Sequence, residues 1–80
     1  MLSAEQMRAA RGLLDWSQAE LAEKASVSLP TIKRMETGGT GKSAGDTIDK
    51  VERALVAGGV QFIPENGGGA GVRLAKPKGA

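Results

Sequence analysis

Eighty residues suffice for one domain, and at that size a single core supplies only about 3–5 kcal/mol of net stability. The chain has no Cys and no His, which excludes disulfides, thiol chemistry, zinc and copper sites and most nucleophile–base pairs. Hydrophobic residues make up 40% and charged residues 25%, and the net charge of +2 permits a nucleic-acid partner without demanding one.

The first helix signal is Ser3 followed by Gln6, the pattern of a capping box, with Leu2 and Met7 at the hydrophobic staple positions. Met7, Ala10 and Leu14 then fall on one face of a helix ending near Leu14. Ser17 and Glu20 form a second capping box, with Trp16 and Leu21 at its staple positions. Leu21, Ala22 and Ala25 give this second, short helix an inner face.

Ser28 caps a third helix, and Pro30 is tolerated in its first turn. That helix runs through Met35 and stops at Gly38-Gly39. The glycine-rich stretch up to Gly45 reads as a loop. Asp46 is expected to cap a fourth helix, whose buried stripe is Ile48, Val51 and Leu55 and whose end is Gly58-Gly59. Val60–Ile63 and Gly71–Leu74 read as two short strands of a hairpin, joined by a flexible turn from Pro64 to Ala70. Residues 76–80 are expected to form a frayed basic tail, carrying Lys76 and Lys78.

Charge is placed unevenly. Between Ser28 and Gly45 the charged residues are Lys33, Arg34 and Lys42 against Glu36, whereas Asp46 to Ala57 leans acidic. A helical wheel turns Ile32 and Met35 inward and Pro30, Lys33, Arg34 and Thr37 outward. A short helix with a basic outer face, braced from behind by a second helix, matches a major groove about 12 Å wide.

Several spaced positions agree on one motif. Gln18-Ala19-Glu20-Leu21-Ala22, then Val27-Ser28, Thr31-Ile32 and Glu36-Thr37-Gly38, resemble the helix-turn-helix of phage repressors and Cro, shared by bacterial regulators named after the xenobiotic response element. The resemblance covers roughly the first 57 residues, with the motif at 17–38. It implies a mainly α, lambda-repressor-like bundle of about four helices, here followed by a β-hairpin at 58–75. It also implies a DNA-binding regulator, double-stranded DNA as partner, and a bacterial cytoplasmic or nucleoid location. No apolar run approaches the ~20 residues of a membrane span, and the opening residues lack an apolar secretion core, which agrees with that location.

By position, the resemblance makes Ser28, Leu29, Pro30, Lys33, Arg34 and Thr37 the candidate DNA contacts on the third helix. Arg34 is the first choice for guanine, Lys33 suits a guanine or a phosphate, and Leu29 suits a thymine methyl. Gln18 opens the second helix, where its side chain and free backbone N–H groups can hold a phosphate. Thr40 and Lys42 lie in the following loop, where family members touch the DNA backbone. Arg11 and Glu36 occupy positions that family members often pair, and are read as a structural ion pair. Ser26 stands where the family usually has Gly, at a position that often needs a left-handed backbone, costing Ser about 1 kcal/mol.

The family's usual fifth helix, a common dimer element, is replaced by the strand pair. An isolated hairpin is marginal in water, so its apolar side chains Val60, Phe62, Val72 and Leu74 require cover. Two covers are open: the chain's own fourth helix, or a second copy in a homodimer. The glycine run from Gly67 to Gly71 lacks the Lys-Ser/Thr ending of a phosphate loop and precedes a strand, so it reads as a turn. The expected function is a sequence-specific regulator, a repressor acting by occupancy, needing no cofactor. The alternative is an interaction module, an antitoxin or antiactivator, that binds a regulatory protein instead of DNA. An enzyme is disfavoured, because His, Cys and Tyr are all absent.

Overall fold

In the computed structural model, which describes residues 2–76, the chain runs α1 (Ala4–Leu14), α2 (Gln18–Ala25), α3 (Leu29–Gly38), α4 (Gly45–Gly58), β1 (Val60–Ile63) and β2 (Gly71–Leu74). The expected mainly helical bundle with a C-terminal hairpin is therefore the observed fold. The basic tail expected at 76–80 lies, beyond Lys76, outside the described residues.

Both capping boxes form. The Ser3 hydroxyl accepts from the Gln6 N–H at 3.0 Å, and Ser3 N–H donates back to Gln6 Oε1 at 3.0 Å. Ser17 and Glu20 repeat the exchange at the start of α2, at 3.0 and 3.3 Å. Each box satisfies helix-terminal donors that otherwise have no intrahelical partner.

The first two helices also end alike. Asp15 and Ser26 have left-handed backbones, at φ 57° and 58°. After each, the next N–H reaches back across the last turn, Trp16 to the Arg11 carbonyl and Val27 to the Ala22 carbonyl, both at 3.0 Å. These are Schellman closures made without glycine. They reverse the chain tightly enough for α2 and α3 to become the close pair that the motif requires.

The start of α4 departs from expectation. Its cap residue is Ala44, with no side-chain hydrogen bond, and Asp46 lies inside the first turn. The helix begins at Gly45, so the Asp46 carboxylate favours the helix N-terminus by its charge and not by capping.

The core is a single cluster: Leu2, Met7 and Ala10; Leu21, Ala22 and Ala25; Ile32 and Met35; Ile48, Val51, Ala54 and Leu55; and Val60. It draws on every helix and on the first strand. Ala22 is small and buried on the inner face of α2, which packs against both α3 and α4, as close helix packing needs. The hairpin is antiparallel, with Val60 opposite Leu74 and Phe62 opposite Val72. Opposed residues share a face, so all four side chains lie on one side of the hairpin.

That side folds onto its own domain. Phe62, Val72 and Leu74 pack against the core, and Val60 is inside it, 2% exposed. Gln6 ties the two parts together, its Nε2 donating to the Gly71 carbonyl at 3.0 Å. Of the two covers open in the sequence, the intramolecular one is used, and it involves α1 as well as α4. Val60, one of the four hairpin residues that require cover, is a core residue in this chain. No helix among the described residues is long and apolar enough to cross a membrane.

Candidate nucleic-acid interface

The outward face of α3 is built by its inward one. Ile32 and Met35 are fully buried and fix the helix in rotation. Pro30, Lys33, Arg34 and Thr37, at helical spacing on the opposite side, are all exposed. Ser28 starts the helix, its hydroxyl accepting from the Thr31 N–H at 3.2 Å and lying 2.7 Å from the Thr31 hydroxyl. Pro30 sits in the first turn, where its missing N–H costs nothing.

A polar network holds this helix from behind. Arg11 donates through Nε to Glu36 Oε2 at 2.6 Å and through Nη2 to Glu36 Oε1 at 2.8 Å, a two-point fork onto the carboxylate. Its remaining Nη1 donates to the Trp16 carbonyl at 3.0 Å. Gln18 Nε2 donates to Glu36 Oε1 at 3.0 Å. One carboxylate on α3 thus joins the C-terminal part of α1, the turn after it and the first residue of α2. Burial pushes the Glu36 carboxyl up. The hydrogen bonds from Arg11 and Gln18, with the charges of Arg11 and Arg8, outweigh burial and hold it below the usual carboxylate range. The Glu36 hydrogen bond raises the Arg11 guanidinium, against burial, which lowers it.

The expected contact residues occupy different situations. Lys33, Arg34, Thr37, Pro30, Ser28 and Lys42 are exposed. Leu29 is half-buried against the core, so only part of its side chain faces out. Gln18 is half-buried, and one amide hydrogen is committed to Glu36. Thr40 departs most: it is 6% exposed, and its hydroxyl donates to the Leu2 carbonyl at 2.7 Å. Its side chain anchors the loop to the start of α1 and is not presented outward. Sequence reasoning passed over Arg8, whose Nη1 donates to the Glu36 backbone carbonyl in the last turn of α3. A contact across 28 positions leaves no trace in local periodicity. Among the described residues, no group of three or more acidic side chains is placed to hold a metal ion.

The sequence comparisons agree with this geometry. A helix-turn-helix family model matches residues 7–55, which span α1 through most of α4. The chain belongs to the helix-turn-helix family of the phage-repressor and Cro type. It is, in general terms, a helix-turn-helix DNA-binding regulator. No curated protein matches it. The hairpin lies beyond the matched span.

Proposed function

We propose that this protein binds duplex DNA sequence-specifically by inserting the helix at about 28–37 into the major groove, and represses transcription by occupying the promoter. The observation that carries this reading is the exposed line Pro30, Lys33, Arg34 and Thr37 on a helix whose back is fixed by buried Ile32, Met35 and Glu36. Arg34 offers a planar fork suited to guanine O6 and N7, a contact worth about 1–3 kcal/mol of discrimination. Lys33 and Lys42 supply charge for guanine or phosphate, and the free N–H groups at the start of α2, beside Gln18, suit a phosphate. A chain seated in the groove at a promoter blocks access sterically, and the repressor reading rests on that mechanism.

Two copies on a twofold-symmetric site would read half-sites about 34 Å apart. The hairpin's apolar face is occupied by its own core, but among the described residues each strand of this two-stranded sheet keeps one edge without a strand partner. An edge of that kind is a template for pairing with a second copy. Selection of bound fragments from a random duplex pool tests the reading. It is expected to yield a common motif containing guanine, arranged as an inverted repeat. Recovery of no enriched sequence, together with tight capture of a protein partner, would favour the interaction-module alternative.

A further inference from the structure

We infer that Arg8 is a phosphate contact at the C-terminal end of α3, and that the same side chain steadies that end of the helix. The inference rests on the DNA-binding reading above. Three observations carry it. Arg8 is exposed although its Nη1 is hydrogen-bonded to the Glu36 carbonyl. A guanidinium has five N–H donors, so this bond leaves four of them and the full charge available. The bond holds the group at the carbonyl of Glu36 in the last turn of α3, whose next residue, Thr37, is exposed.

The local charge favours an anion. Arg8 and Arg11 both act on Glu36 and hold its carboxyl low. Two guanidinium groups against one carboxylate leave a net positive charge. Arg11 is spent inward, on both carboxylate oxygens and on the Trp16 carbonyl. Arg8 is spent on one carbonyl only. The C-terminal end of a helix carries partial negative charge that would repel a phosphate, and α3 has no basic residue of its own in its last turn. Arg8 supplies from α1 the cation that this end lacks, and its fork geometry matches phosphate oxygens.

The test compares wild type with Arg8→Gln and Arg8→Lys on the pool-selected duplex and on a scrambled duplex, across a salt titration. Gln keeps an N–H donor but loses the charge. Its binding is expected to weaken about tenfold on both duplexes alike. The salt slope is expected to become shallower by about 0.9, the value of one phosphate contact, with Lys restoring it. In the wild-type chain, the Arg8 side-chain Nε–H resonance is expected to shift on adding duplex, while that of Arg73 on the hairpin stays put. An unchanged slope in the Gln variant, a loss confined to the selected duplex, or an unmoved Arg8 resonance would overturn the inference. A wild-type chain that binds neither duplex would instead remove the DNA-binding reading beneath it.

Discussion

Arg11 and Glu36 meet through two hydrogen bonds, 2.6 and 2.8 Å long, that join the first helix to the third across 25 positions of sequence. The carboxylate is the more deeply buried partner, 3% exposed against 21% for the guanidinium. The pair therefore matters most when it is broken from one side. Arg11→Ala leaves a buried carboxylate with only Gln18 and Arg8 as compensation, and is expected to destabilise the fold by about 3 kcal/mol. Arg11→Met with Glu36→Leu removes the uncompensated charge and is expected to recover most of the loss in thermal denaturation. A double variant no more stable than Arg11→Ala would mean that the network contributes through packing instead of charge.

The same carboxylate sets an acid response. The Glu36 carboxyl is held below its ordinary value of 4.5 in the folded chain. Its contribution to stability is therefore complete above that value and is lost as pH falls through the lower, folded-state value. Chemical denaturation of wild type is expected to show stability declining on acidification below about pH 4.5, with a shallower decline in Glu36→Gln. Parallel curves for the two proteins would assign the acid response to other carboxylates.

Gly58 is the place where α4 lets Trp16 through. A Cβ built at Gly58 would lie 2.5 Å from Trp16 Cη2 and Cζ2 and 3.0 Å from Leu14 Cδ1. The indole is also covered by Lys24, whose Nζ is 5.1 Å from the ring centroid. Gly58→Ala is expected to cost about 1–3 kcal/mol by overpacking. Because Trp16 is the only tryptophan, the displacement is read directly as a shift in its fluorescence. An unshifted spectrum with unchanged melting would show that the ring has room to move.

Ser26 holds a left-handed backbone at φ 58° and ψ 42° where glycine would be unstrained. Ser26→Gly is expected to stabilise the chain by up to about 0.6 kcal/mol, the strain relieved less the entropy that glycine adds to the unfolded chain. A lower melting temperature in that variant would show that the serine side chain contributes something the backbone does not.

Local chemistry was the legible part of this molecule. The capping residues Ser3, Ser17 and Ser28, the strand limits Val60–Ile63 and Gly71–Leu74, and the inward stripes of all four helices are written in short-range patterns. The Arg11–Glu36 pair is a long-range contact, and it came from the family resemblance and not from periodicity. What stayed hidden depends on distant partners. Thr40 looks like any polar loop residue until Leu2, 38 positions earlier, takes its hydroxyl. Val60 needs cover that local pattern cannot assign to its own chain or to a second one, and here it is buried in a hairpin tied to Gln6 through the Gly71 carbonyl, 65 positions away. Asp46 resembled a cap because its composition suits one, but the helix winds one residue ahead of it, from Gly45.

In the proposed function the exposed basic face of α3 holds DNA. Fluorescence anisotropy with a set of varied oligonucleotide duplexes at low ionic strength tests it most directly, comparing wild type with the Lys33→Ala, Arg34→Ala double variant. Wild type is predicted to form a complex that salt weakens steeply, and the double variant to lose specific binding while keeping the same far-ultraviolet circular dichroism. A wild-type chain that forms no complex, or a double variant that binds as tightly as wild type, would contradict the account.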